Sequence, residues 1–170
     1  MDGIQYIKQI EELKPLLDGA DHIDVKTVEG NVPLNRFIAS AFGYMPWWLK
    51  MLYQLRAPLV RVLGMKQESL PFQDKLKPED IPFAKGGKAL FFTVAIADVD
   101  RFWFAEARDK HLSAYLGCVV EPLVGGRRRY HFATVVHYRD WSGPVYFNII
   151  RPFHHIVVRS MALAGVDRVD

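Results

Sequence analysis

Residues 127–158, RRRYHFATVVHYRDWSGPVYFNIIRPFHHIVV, join a strand-like pattern to a helical one and decide the fold. In the first part, aromatic and apolar residues occupy alternate positions, as on one face of a strand. After the turn residues WSG, a long helix is predicted from Pro144 to Ala164, because proline favours a first helical turn and Gly165 can cap the end. The sequence therefore predicts a last strand that leads directly into a long C-terminal helix.

Three further strand-like runs precede residue 127, and short turn signals separate them. They are KALFFTVAIAD (88–98), RFWFAEAR (101–108) and HLSAYLGCVVEP (111–122). Because such short connections permit only hairpins, the runs predict an antiparallel meander.

The N-terminal half supplies one more strand and several helices. His22–Val28 alternates as a strand does, and two helical patterns follow over 33–44 and 46–64, each beginning on a proline. A polar connection over 66–88 then leads to the meander. An amphipathic helix over 4–17 precedes the strand, and we expect it to form a lid or an edge element.

This order predicts an α+β helix-grip fold, in which a curved antiparallel sheet wraps around the long C-terminal helix and two helices are inserted after the first strand. A chain of 170 residues has the length of one domain. We expect residues 1–170 to form a single helix-grip domain, with 1–19 as an N-terminal helical extension and 144–164 as the C-terminal helix. It should fold alone or as a homodimer.

Composition and charge exclude several classes of protein. The net charge is +3, and outside Arg127–Arg129 the basic residues are scattered, which argues against a nucleic-acid partner. Cys118 is the only cysteine, so neither an intrachain disulfide nor a cysteine metal site is expected, and a reducing cytoplasm is indicated. The sequence has no signal-peptide pattern and no apolar run of membrane-spanning length. We therefore expect a cytoplasmic protein that needs no metal.

Two segments resemble a known family. The first carries Asp109-x-His111-Leu112, Val136-x-Tyr138, Gly143, Tyr146 and Arg151-Pro152-Phe153-His154, and the second is PWWLKMLYQLRAPLVRVLGM (46–65). Over about residues 20–164 the chain resembles an uncharacterised bacterial domain family grouped with START-like and polyketide-cyclase-like (SRPBCC) proteins, some of which follow short-chain-dehydrogenase-like domains. Since no G-x-G-x-x-G motif follows a strand, nicotinamide chemistry is not implied, and we expect no cofactor. The resemblance implies an apolar cavity that binds hydrophobic or amphipathic small molecules.

The expected ligand site lies between the concave face of the sheet and the C-terminal helix. Alternate residues of the strands at 111–122 and 127–140 point to that face. The residues predicted to border the ligand are Trp48, Trp103, Phe132, Tyr138, Tyr146, Phe153 and His154. The favoured interpretation is a non-catalytic protein that binds a hydrophobic small molecule, such as a lipid.

A cyclase-like or dehydratase-like enzyme is the alternative, with Glu106, His111 and His154 as candidate acids and bases. Whether Glu106 can reach the cavity depends on the strand register of one hairpin. A two-residue turn at Asp109-Lys110 points Trp103 inward, whereas a three-residue turn points Glu106 inward instead. We favour the first register.

Three histidines, His111, His131 and His137, fall on the opposite face of these strands, which we expect to be solvated. His131 and His137 lie too far apart along one strand to bind a single metal ion. At the hairpin, Asp109 is expected to orient the imidazole of His111.

The C-terminal helix has a broad apolar side and a row of polar residues. We expect Arg151, His155 and Arg159 to form that row in solvent, His154 to lie at the border, and Pro152 to kink the helix. The apolar side comprises Tyr146, Ile149, Ile150, Phe153, Ile156, Val157, Met161 and Ala164.

The helix over 46–63 is rich in aromatic residues beside Lys50 and Arg56, a composition typical of helices at membrane surfaces. Its expected packed stripe comprises Trp48, Met51, Leu52, Leu55, Leu59 and Val62. We favour a role in closing the mouth of the cavity. Peripheral membrane contact or protein interaction through this helix stays open as the second alternative.

Overall fold

A computed structural model describes residues 2–62 and 76–167 of the chain. The strands are β1 (His22–Gly30), β2 (Lys88–Ala89), β3 (Phe92–Asp98), β4 (Phe102–Arg108), β5 (Leu112–Pro122) and β6 (Arg128–Tyr138). They form one antiparallel sheet in the order β1-β6-β5-β4-β3-β2. The meander predicted for the second half is confirmed, and β1 extends it by pairing with β6.

The helices are α1 (Gly3–Lys8), α2 (Lys14–Leu17), α3 (Leu34–Gly43), α4 (Trp47–Val62) and α5 (Ser142–Val166). As predicted, α3 and α4 follow β1, and the long α5 follows the last strand. The helix-grip arrangement is therefore confirmed. The first part of the polar connection expected over 66–88 lies outside the described residues.

The main core lies between the concave face of the sheet and the helices α3 and α5. Phe37 of α3 stacks on Tyr130 of β6 with ring centroids 4.6 Å apart, and Trp103 donates from Nε1 to the Pro82 carbonyl at 2.7 Å. Trp103 and Phe132 are fully buried there. These inward aromatic side chains follow the period-two pattern of the strands.

Gly165 lies within α5 and does not cap it, contrary to the prediction. A Cβ at this position would stand 2.6 Å from the Phe37 ring, so only glycine lets α5 approach α3 this closely. The helix continues through Pro152 and ends at Val166.

A second core lies on the convex face of the sheet, beneath the N-terminal segment. Ile7, Leu13 and Leu17 pack there on a face that includes Phe104 and Val135. The segment consists of α1, a short 3-10 turn and α2, and it covers one side of the sheet. The expectation of a lid or edge element is wrong, because the outward strand residues are themselves apolar enough to need cover.

The histidines of this convex face are covered as well. His131 is fully buried, with Nε2 2.9 Å from the Glu121 carboxylate and Nδ1 3.1 Å from the hydroxyl of Thr27. His137 donates from Nε2 to the Leu16 carbonyl at 2.8 Å. The prediction of a solvated face is wrong, because the neighbouring strands supply the hydrogen-bond partners of His131 and the N-terminal segment supplies that of His137.

The hairpin between β4 and β5 has a two-residue turn, one position later than predicted. Arg108 pairs with Ser113, and the backbone N of Asp109 donates to the Leu112 carbonyl, so the turn residues are Lys110 and His111. Moving the turn by one residue shifts the pairing of the two strands by two residues, so the same side chains still point to the concave face. Trp103 lies in the concave core, as the favoured register predicted. Glu106 pairs with Tyr115 and lies on the other face.

Helix α4 packs on a different side from the one predicted. Leu49 is buried and Leu52, Tyr53 and Arg56 are half-buried, whereas Met51 and Leu55, which were expected to pack, are exposed. Apolar residues surround most of this helix, so the sequence alone did not determine its rotation. No helix within residues 2–62 or 76–167 is both long and apolar enough to cross a membrane.

Candidate ligand-binding site

A cavity of about 370 Å³ lies beneath α4 and α5, against the concave face of the sheet near the β4–β5 hairpin. This volume is within the range of small-molecule sites. Its apolar wall is formed by Leu49, Leu52, Leu55, Phe91, Phe92, Ala107, Leu112, Ala114, Leu116, Val136, Phe147, Ile149, Ile150, Phe153 and Val157. The polar or partly polar lining residues are Tyr53, Arg56, Arg108, Asp109, Tyr115, Thr134, Tyr146 and His154.

Three of the residues predicted to border a ligand, Tyr146, Phe153 and His154, line this cavity. Phe153 is 51% exposed and therefore lies at its mouth. Trp103 and Phe132 belong to the solid core instead.

Two more predicted residues, Trp48 and Tyr138, are not among the described lining residues. The ring of Trp48 lies 6.4 Å from Tyr44, and that of Tyr138 lies 6.2 Å from Phe147. Because Phe147 lines the cavity, Tyr138 flanks the site without forming its wall.

His154 lies on the packed side of α5, not at its border. Phe147, two turns before His154, and Val158, one turn after it, are buried, while Ile149 and Ile156 of the predicted apolar side are about half exposed. The close approaches of Gly143 to the His111 carbonyl and of Gly165 to Phe37 fix this rotation. A pattern that is apolar on most sides could not reveal it.

The imidazole of His154 is neutral at physiological pH. Its Nε2 lies 3.1 Å from the hydroxyl of Thr134 on β6, and the centroid of its ring lies 5.8 Å from that of the Phe147 ring. Burial lowers the pKa of His154 from 6.5 to about 4. The cavity therefore contains an uncharged group that can donate or accept a hydrogen bond.

His155 turns towards β1, although the sequence predicted it in an exposed row. Its Nδ1 lies 3.3 Å from Oδ2 of Asp24 and 3.3 Å from Nζ of Lys26, which itself pairs with Asp24 at 2.9 Å. Burial raises the pKa of Asp24, but the hydrogen bond and charge of Lys26 outweigh it and the pKa is lowered. Among residues 2–62 and 76–167, no cluster of three or more His, Cys, Asp or Glu side chains is arranged to hold a metal ion.

The other two catalytic candidates point elsewhere. His111 is buried with Nδ1 2.5 Å from Asp140 and 2.6 Å from Ser142 Oγ, so both partners contact the same ring nitrogen. The carboxylate of Asp109 instead accepts from the Lys110 backbone. The expected pairing of Asp109 with His111 is therefore wrong. Glu106, on the convex face, has Arg108 as its ionic neighbour at 3.6 Å.

The sequence interpretation missed Arg56 and Tyr53 as lining residues. The guanidinium of Arg56 lies 5.4 Å from the Tyr146 ring centre and 5.7 Å from that of Tyr53. The spacing 49, 52, 53 and 56 is itself helical and would have placed Arg56 on the packed side. A charged residue at such a position normally indicates the solvent side, and that concealed it.

Comparison with solved structures gives distant similarities. Norcoclaurine synthase from Thalictrum flavum, in a truncated form, is 11% identical with a TM-score of 0.40, over 84% of this chain and 91% of that one. Ara h 8.0201 is 8% identical with a TM-score of 0.41, over 86% and 99%. TTHA0849 from Thermus thermophilus is 13% identical with a TM-score of 0.34, over 85% and 94%.

No curated protein matches the chain significantly. A family model does match, and it spans residues 16–161, from the N-terminal segment to the last turns of α5. The chain belongs to the family described as protein of unknown function (DUF2867).

Proposed function

We propose that the protein binds a hydrophobic or amphipathic small molecule in the cavity beneath α4 and α5. The observation that carries this proposal is a cavity of about 370 Å³ with a mainly apolar wall. Polar groups occur at a few separated positions, including Thr134 and His154, as in sites that orient one ligand. Half-exposed Ile149 and Phe153 provide an apolar mouth.

The energetics favour an apolar occupant. Burying about 200 Å² of ligand surface against such a wall would contribute about 5 kcal/mol at ~25 cal/mol per Å². This value would be reduced by the cost of immobilising the ligand. A small polar metabolite would gain little from this wall.

Native mass spectrometry of freshly purified protein tests the proposal by detecting a co-purified ligand, and titration with the neutral dye Nile red measures binding directly. Ala114→Phe fills the cavity and should abolish Nile red binding. Leu163→Phe makes a similar change on the exposed side of α5 and should leave binding unchanged. Equal dye binding by both variants would contradict the proposal.

Peripheral membrane contact is a second candidate function, favoured by an exposed apolar stripe on α4. Trp47, Met51, Leu55 and Val62 are 76%, 46%, 63% and 83% exposed, and this helix carries basic residues but no acidic ones. Helices of this kind bind at the surface of anionic bilayers. Such contact would bring the mouth of the cavity to a lipid ligand.

Cosedimentation with phosphatidylserine vesicles tests this second function. Leu55→Ser should weaken it, whereas Gln54→Ser, an exposed polar control on the same helix, should not. Wild-type protein that stays in the supernatant would exclude it.

Acid–base catalysis would depend on His154, the one catalytic candidate that lines the cavity. Because the pKa of His154 is lowered to about 4, its imidazole is a weak base at neutral pH. The same neutral imidazole is well suited to hydrogen-bond a ligand. This supports binding over catalysis.

A further inference from the structure

A cation is held inside the apolar cavity. Arg56 lies on the inner side of α4, and its guanidinium faces the rings of Tyr53 and Tyr146 at 5.7 and 5.4 Å. Its charge reaches both hydroxyls, since it opposes the burial that raises the pKa of each tyrosine. Two aromatic rings thus hold the guanidinium in place.

Within the described part of the chain, the charge of Arg56 has no counter-ion. Its Nε is buried and makes no hydrogen bond there, and no acid of residues 2–62 or 76–167 forms an ion pair with it. Asp109 lines the same cavity and its charge reaches the Tyr146 hydroxyl, but among the described residues it forms no ion pair with Arg56. An unpaired charge among apolar groups is costly, and an anion that enters would remove this cost.

We propose that the ligand of this cavity is an amphipath with an anionic head of the carboxylate kind, which pairs with Arg56. This inference rests on the proposed binding function and adds the class of ligand. The planar guanidinium presents parallel N–H donors that match the two oxygens of a carboxylate. Arg108 also lines the cavity, with Glu106 as its ionic neighbour at 3.6 Å.

The second polar position sets the orientation of the ligand. Tyr146, beside Arg56, and His154 are eight residues apart on α5, about 12 Å at 1.5 Å per residue. Apolar groups such as Leu112, Leu116 and Val136 line the space between. The head lies at Arg56 and the tail extends towards His154 and Thr134.

Displacement of Nile red by two ten-carbon probes, decanoate and 1-decanol, tests the inference at pH 7.5, where decanoate is ionised. Wild-type protein should bind decanoate about tenfold more tightly than decanol, because one charge-assisted hydrogen-bonded pair typically contributes a factor of this size to affinity. Arg56→Gln should remove this preference by weakening the binding of decanoate. Arg61→Gln, an exposed site on the same helix with the same loss of charge, should retain it.

The outcomes separate the inference from the proposed function. Equal affinity of the wild type for both probes, or equal loss of preference in R56Q and R61Q, overturns the anionic head while cavity binding stands. Failure of Nile red and both probes to bind overturns the binding function itself.

If circular dichroism shows that R56Q does not fold, the test rests on R56K and on the preference of the wild type for decanoate. Lysine keeps the charge but lacks the planar fork, so R56K should show a reduced preference for decanoate. A full preference in R56K would overturn the paired geometry.

Discussion

The Nδ1 atom of His111 lies 2.5 Å from Oδ2 of Asp140, and this contact joins the β4–β5 turn to the start of α5. The other carboxylate oxygen of Asp140 accepts from the backbone N of Ser142 at 2.9 Å and from its Oγ at 2.6 Å. One side chain therefore fixes both the buried imidazole and the first turn of the longest helix.

Replacement of Asp140 by Asn should destabilise the fold in a pH-dependent way. Hydrogen bonds from Ser142, followed by that from His111, lower the pKa of Asp140 from 3.8 to about 2. A lowered pKa stabilises the folded protein above pH 3.8, and this contribution is lost as the pH falls towards 2. Thermal unfolding should show a gap between wild type and D140N that is widest near neutral pH and narrows below pH 3.8.

Asp109→Asn is the control, because the sequence suggested Asp109 as the partner of His111. Its effect on the melting temperature should be smaller than that of D140N. A larger effect would refute the role assigned to Asp140.

His154 should make the protein less stable in mild acid. The pKa of His154 is about 4 in the folded chain and 6.5 in the unfolded chain. As the pH falls below 6.5, the unfolded chain therefore binds a proton at this histidine while the folded chain does not. Stability is then lost between pH 6.5 and 4. Chemical denaturation should show that the wild type loses about 2 kcal/mol more than His154→Gln between pH 7 and 5.

His22 and His131 also have lowered pKa values through burial, and both remain in the variant. Their contributions cancel when the two proteins are compared. Identical pH slopes would show that His154 is not buried in its neutral form.

Gly165→Ala should destabilise the protein by about 1–3 kcal/mol, since the new methyl group has no room against Phe37. Gly43→Ala is the matched control, because a Cβ at the end of α3 has no neighbour nearer than 4.0 Å. Urea denaturation measures both. A similar free energy of unfolding for the two variants would mean that α3 and α5 are not in close contact at Gly165.

Leu13→Ala should cost about 2–5 kcal/mol, the range for removing a fully buried leucine. Leu163, at 47% exposure, provides the control as Leu163→Ala and should cost much less. If L13A unfolds at the same denaturant concentration as L163A, the N-terminal segment is not part of the convex core.

The strands were readable from the sequence because alternation indicates their faces and turn signals indicate most of their ends. It predicted the meander and the inward position of Trp103 correctly. The partner of His111 was not readable, because Asp140 lies 29 residues away and a nearer acid, Asp109, was available. A sequence pattern suggests partners that are near in the chain, whereas the fold brings Asp140 next to His111 from a distant position.

Helix rotation and the N-terminal cover were the other failures. In α4 and α5 apolar residues occur on nearly every side, so no single stripe indicates the contact face. In α5 two glycines determine the contact face, because Gly143 and Gly165 let the helix backbone approach the His111 carbonyl and the Phe37 ring more closely than a residue with a side chain would. The sequence had suggested solvent around His131 and His137, because nothing in the strand pattern shows that another segment covers them.

Both ends of α5 are fixed, at Gly143 under the His111 carbonyl and at Gly165 against Phe37. Helix α4 has no comparable glycine contact with the sheet in the described residues, and its outer side borders solvent. We expect the entry and exit of a ligand to proceed by displacement of α4 while α5 stays in place. Substitutions along α4 should then change exchange rates before they change equilibrium affinity.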